Sequence, residues 1–144
     1  MRALLQRVTS ARVEVSGETV GAIDRGLLVL LGIARDDGPG DAERLAKRTL
    51  ELRIFPDADK PMNRSLLDVG GAVLVVSQFT LCADTSRGRR PGFSTTAPPD
   101  VAEPLVEAFV GHCREGGVEV ASGRFGADMQ VHLVNDGPVT FLLE

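Results

Sequence analysis

The chain contains no tryptophan and no tyrosine. Its core has to be built from Leu, Val, Ile, Ala and a few Phe side chains, so packing rests on aliphatic groups. Cysteine is also scarce. Cys82 and Cys113 show no C-x-x-C or other metal-ligand spacing, and two free thiols in a reducing compartment are expected. No apolar run approaches the ~20 residues that span a bilayer. The N-terminal stretch carries an early Arg2 but neither a long apolar segment nor a small-residue cleavage site. These absences lead to the expectation of a cytoplasmic chain with no membrane partner. No G-x-G-x-x-G, Walker A or H-E-x-x-H pattern occurs, so neither a cofactor nor a metal is expected. The charge balance is not basic either: 16 Lys and Arg against 20 Asp and Glu give a net −4. Nucleic-acid binders usually carry the opposite balance. The local exception is Arg87, Arg89 and Arg90, clustered in one short stretch.

The 144 residues are 43% hydrophobic and 25% charged, which suits one domain over residues 1–144 with a full core. Val13 and Val15 alternate with polar neighbours, the period of a half-buried strand. Ser16-Gly17-Glu18 reads as a hairpin turn, with Thr19 to Ile23 returning. Leu27 to Ile33 and Ala72 to Val76 are continuous apolar runs, as in strands buried on both faces. Between them, Ala42, Leu45, Thr49 and Leu52 share one helical face, with Asp41 placed to cap or favour the N-terminus. A second helix is expected over Val101 to Arg114, with Asp100 and Glu103 as a capping box and Pro104 in the first turn. Gly116-Gly117 ends it. Strands are expected around Val118 to Ala121, Met129 to Asn135 and Val139 to Leu143. The order predicts an α+β fold: a curved, barrel-like, mostly antiparallel sheet with two main helices.

Three segments carry candidate chemistry. Ser77-Gln78-Phe79-Thr80 lies where a buried strand emerges into a long loop. Its amide, hydroxyl and main-chain N–H groups suit a developing oxyanion. Thr80 or Ser77 as a nucleophile would need a base beside it, and the alternative is a strand end whose polar groups bond the next turn. Arg87, Arg89 and Arg90, with Phe93 nearby, suit phosphate and base contacts, or form a solvated surface loop. Gly137-Pro138 stands between two strand-like runs. It reads as an ordinary turn or as a backbone device for a ligand. His112 and His132 lack any triad spacing and read as structural or exposed.

Taken together, Met1 to Val8, Ser77-Gln78-Phe79-Thr80-Leu81, Gly88-Arg89-Arg90-Pro91 with Phe93, Phe125-Gly126-Ala127-Asp128-Met129 and Asn135-Asp136-Gly137-Pro138-Val139-Thr140 resemble the D-aminoacyl-tRNA deacylase family from end to end. The resemblance implies a metal-free homodimer that hydrolyses the ester between tRNA and a D-amino acid or glycine. It implies that Ser77, Gln78, Phe79 and Thr80 line the catalytic pocket. Gly137-Pro138 would be cis and reach into the partner subunit's pocket, braced by Arg7, and the arginine loop would be a candidate tRNA contact. Arg87 stands where a Lys is usual, and Thr95-Thr96 replace smaller residues. For the missing base two possibilities stand: Thr80 itself, or the neighbouring ribose 2′-hydroxyl of the tRNA, which is favoured because no base lies near Thr80. The rival classes are a non-catalytic dimeric RNA-binding module and a general esterase.

Overall fold

The first strand, β1 (Arg2–Val15), organises the molecule. The computed structural model of the chain describes residues 1–144. Along its length β1 pairs antiparallel with β2 (Glu18–Ile23) on residues 11–15 and with β3 (Gly26–Gly32) on residues 2–8. On its other side it pairs antiparallel with β6 (Gln130–Leu143). Strand β4 (Ala72–Ser77) lies parallel to β3, and β5 (Glu119–Ser122) parallel to β4. The order is therefore β2-β1-β3-β4-β5, with β6 also beside β1. Three of the five ladders are antiparallel, in line with the expected sheet. It bends almost into a barrel: a Cβ on Gly21 of β2 would lie 2.6 Å from the Ser122 carbonyl oxygen of β5, so the bare glycine lets these two strands meet.

The Ser16 and Gly17 backbones have φ of 51° and 78°, the left-handed pair that a two-residue hairpin turn demands. The apolar runs of β3 and β4 are buried on both faces because the sheet separates two cores. Leu27, Val29, Leu31, Val73 and Val75 pack outward under α1 (Pro39–Glu51) and α3 (Pro99–Glu115), around Leu45, Phe55 and Phe109. Leu28, Leu74 and Val76 face the concave side with Val8, Val13 and Ile23.

Several local expectations are corrected. Helix α3 starts at Pro99 behind Pro98, with no side-chain cap, so Asp100 and Glu103 form no capping box. A rigid Pro-Pro entry takes its place. Pro104 consequently falls in the second turn, where its missing N–H leaves the Asp100 carbonyl without a helical donor. A single-turn helix, α2 (Leu66–Val69), follows the polar loop and lies outside the two main helices expected. Leu52 lies at the α1 C-cap, while Ala46 and Leu50 join its buried face. The two C-terminal strands are one strand, β6. No helix is long and apolar enough to cross a membrane.

Four aspartates, Asp68 and Asp84 exposed and Asp41 and Asp57 half-buried, tie these turns together. Asp41 accepts the Gly38 N–H at 2.9 Å, and Asp68 accepts the Ser65 N–H at 2.8 Å. Asp57 accepts from the Asn63 amide and the Lys60 N–H, and Asp84 from the Ser86 hydroxyl and N–H. These donors hold all four carboxyls below the ordinary aspartate value. A carboxyl depressed in the folded state contributes stability above its unfolded value and loses it as pH falls through the folded one. Stability to urea is expected to be flat above about pH 5 and to decline below about pH 4. Asp68→Asn should blunt that decline. An acid limb identical in wild type and variant would count against this assignment.

Candidate active site

Strands β3, β4 and β5 are mutually parallel, so their C-terminal ends share one edge of the sheet. Open parallel sheets commonly place ligands there. Here the edge opens into a cavity of about 710 Å³. Ile33 and Arg35 enter it after β3, Ser77 at the end of β4 with Gln78 and Phe79 just beyond, and Phe125 to Met129 after β5. Thr96 to Pro99 and Ala102, at the start of α3, close the side, and Phe93 forms part of the wall.

The chain leaves the sheet in a defined way. Gln78 N–H donates to the Leu31 carbonyl at 2.8 Å, extending the ladder by one bond. Phe79–Cys82 then forms a 3₁₀ turn instead of continuing the strand. Its first N–H groups have no partner within the turn, and neither Phe79 N–H nor Thr80 N–H has an acceptor elsewhere in the chain. The Gln78 side-chain amide donates to the Thr80 hydroxyl oxygen at 2.5 Å. Phe79 stays 55% exposed and packs at a tilt on Phe93, with ring centroids 5.2 Å apart.

The arginine loop hangs from that aromatic pair. Asp84 and Gly92 exchange two backbone bonds of 2.8 Å at its base, and Gly88 turns the tip with φ 69°. Arg87, Arg89 and Arg90 are all exposed and lie outside the cavity lining.

Gly137 and Pro138 are not brought to this cavity within one chain; they are exposed, and the bond between them is cis, as the resemblance implies. Val8 pairs with Asn135 and Gln6 with Thr140, so Asp136 to Val139 stand against Arg7 alone and the chain bulges out. Two side chains replace the lost ladder. The Asn135 amide donates to the carbonyls of Arg7 (2.9 Å) and Val139 (3.1 Å). Arg7, buried, donates through Nε to the Asp136 carbonyl at 2.9 Å and through Nη1 to the Ile54 carbonyl at 2.7 Å. Its Nε also lies 3.2 Å from the Asp136 carboxylate. The protrusion is a braced bulge inside β6, not a hairpin turn.

Other titratable groups stand apart. His112 pairs with Glu115 and His132 with Glu14, neither in the cavity. Both cysteines are buried and free. Burial raises the Cys82 thiol and pushes Cys113 up to about 12, which makes both poor nucleophiles. No group of three or more His, Cys, Asp or Glu side chains is placed to hold a metal ion.

The sequence profile described as D-Tyr-tRNA(Tyr) deacylase matches residues 4–144. The chain belongs to this family. A D-aminoacyl-tRNA deacylase of Syntrophotalea carbinolica is 61% identical over 144 residues, covering 100% of this chain and 97% of the relative. One of Pseudomonas fluorescens is 58% identical over 100% of this chain and 99% of its own. Among solved structures, one described as c-Myc DNA Unwinding Element Binding Protein superposes with a TM-score of 0.94 at 41% identity, covering 100% and 98% of the two chains. A probable eukaryotic D-amino acid tRNA deacylase shares the fold, with a TM-score of 0.83 at 21% identity over 99% and 97%.

Within this family member, the Ser77 to Phe79 strand end and the Phe125 to Met129 segment meet in one cavity. Arg35 and the Pro98-Pro99 entry were not singled out from sequence. Their only signal is position: each stands just past a buried strand or just before a helix, which is legible once strand order is known.

Proposed function

We propose that the chain hydrolyses the ester joining a D-amino acid, or glycine, to the 3′ end of tRNA. The observation that carries this reading is the Ser77-Gln78-Phe79 strand end, which opens into a cavity with two uncommitted N–H donors beside it, in a chain of the deacylase family. An aminoacyl ester is already reactive. The site has to hold the terminal nucleoside, stabilise one oxyanion and admit water. Phe79 N–H, Thr80 N–H and the Gln78 amide stabilise the oxyanion; loss of one such donor typically costs about 10²–10³ in rate.

Thr80 positions and does not attack. Its hydroxyl oxygen accepts from Gln78 and has no carboxylate or imidazole partner, so nothing removes its proton. The ribose 2′-hydroxyl assists water instead. Single-turnover deacylation by Thr80→Ala should stay within about tenfold of wild type, less than a general base contributes. A fall to the limit of detection would make Thr80 the catalytic group.

Chirality is set by the Gly137-Pro138 bulge of a second copy reaching into this pocket. A rigid main-chain wall beside the α-carbon accepts hydrogen and excludes an L side chain. Glycine, with no side chain, passes. In support, the bulge is exposed and braced, and its strand also exposes Leu133, Val134 and Leu142, apolar groups suited to a homodimer contact. The arginine loop contacts tRNA phosphates. Sedimentation of the full chain reads the dimer directly. Assays on D-Tyr-tRNA and a p-nitrophenyl ester test the reaction class: cleavage of the first alone is expected. Cleavage of the simple ester points to a general esterase, and tRNA binding without cleavage to an RNA-binding module.

A further inference from the structure

The cavity at the sheet edge is lined by only two ionisable side chains, Arg35 and Asp128. Both are exposed, and neither has a salt bridge or a side-chain hydrogen bond within the chain. That sets them apart from Arg2, Arg7, Arg12 and Arg44, each paired with a carboxylate. Strand order fixes their positions. Arg35 follows β3, Asp128 follows β5, and the Ser77-Gln78-Phe79 strand end follows β4 between them. Arg35 N–H also donates to the Thr95 carbonyl at 3.0 Å, which ties it to the segment leading back to Phe93 and the arginine loop. The site thus has a cationic flank, a neutral centre and an anionic flank.

An aminoacyl-tRNA end has the same polarity. A phosphodiester lies on the nucleoside side of the ester, and an α-ammonium lies on the acyl side. We propose that Asp128 binds the α-ammonium of the aminoacyl group and that Arg35 binds the phosphodiester nearest the terminal nucleoside, so that charge alone fixes which way the ester lies across Ser77, Gln78 and Phe79. This inference rests on the deacylase reading and deepens it. It also gives chirality a third contact. A wall beside the α-carbon and donors on the carbonyl leave the acyl group free to turn. Only when the nitrogen is held as well does an L side chain have to meet the wall.

The test compares D-phenylalanyl-tRNA with D-phenyllactyl-tRNA, which keeps the shape and replaces the ammonium with a hydroxyl. With each rate divided by that ester's spontaneous hydrolysis, which the ammonium itself accelerates, wild type should favour the aminoacyl form by about tenfold to a hundredfold in kcat/KM, the scale of a hydrogen bond to a charged group. Asp128→Asn should lose that factor on the aminoacyl substrate, treat both substrates alike and show a smaller D-over-L ratio. Arg35→Gln should weaken both substrates equally and flatten the salt dependence by about one phosphate contact. Equal wild-type rates on the two substrates after that division, or an Asp128→Asn variant that keeps the corrected preference, overturns the Asp128 assignment. An unchanged salt slope overturns that of Arg35. Wild type inert to both substrates removes the deacylase reading and this inference with it. The wild-type comparison decides the Asp128 question even if the variant folds poorly, and Asp128→Ser provides a second variant.

Discussion

Arg7→Met is expected to destabilise the chain by about 3 kcal/mol, because the Ile54 and Asp136 carbonyls lose a charged donor, and to cut deacylation at least tenfold. Arg7 is a buried cation whose position is justified only by what it holds. One end of the guanidinium fixes the Asp136 carbonyl, and the other fixes Ile54 beyond α1. Methionine keeps much of the stem volume and removes the fork, so the loss reports on the contacts more than on packing. Asn135 holds the bulge from the opposite side by bonding the Arg7 carbonyl, so the two act as a unit and their losses should not add. Arg7→Lys should recover little, since a point charge cannot replace a fork that bonds two directions. Urea unfolding together with D-aminoacyl-tRNA turnover checks this. Wild-type stability and rate in Arg7→Met would remove the brace from the account.

Gly26→Ala is expected to be more damaging still. Gly26 opens β3, paired with Val8 on one side and Ala72 on the other. A Cβ at this position would lie 1.8 Å from the Ala72 carbonyl oxygen and 2.7 Å from the Ala72 nitrogen, both backbone atoms that no rotamer can move. The β3–β4 ladder has to part at its first residue, and the bond from Ala72 N–H to the Arg25 carbonyl goes with it. The loss should exceed about 4 kcal/mol, the range reserved for backbone clashes and core collapse. Because β3 and β4 also aim Arg35 and Ser77, activity should disappear with the fold. Soluble yield and thermal melting read the outcome, and a native melting curve would contradict the close approach.

Much of this was visible in the residues. Leu27 to Ile33 and Ala72 to Val76 read as doubly buried strands, and the sheet does divide two cores there. The helical face of Ala42, Leu45 and Thr49 packs as spaced. Periodicity could not show that β3, β4 and β5 run parallel, since strand direction depends on pairing between distant segments. For that reason Arg35 and the entry to α3 escaped notice. Gly137-Pro138 left two readings open, a turn or a backbone device for a ligand. Local chemistry could not choose between them; β6 continues through the segment because Arg7 and Asn135, distant in sequence, supply the bonds that the ladder loses. The same pair explains why the segment protrudes instead of folding back. Asp100 and Glu103 had capping spacing, but Pro98-Pro99 starts the helix earlier and leaves them inside it.

The central claim is that an exposed main-chain bulge, acting in a partner's pocket, separates mirror-image substrates. One measurement tests it most directly: single-turnover deacylation of D-Tyr-tRNA and L-Tyr-tRNA prepared on the same tRNA, at the same enzyme concentration. The expected result is rapid release of D-tyrosine, with L-tyrosyl-tRNA decaying at its spontaneous rate. Comparable enzymatic rates on the two substrates would contradict the account.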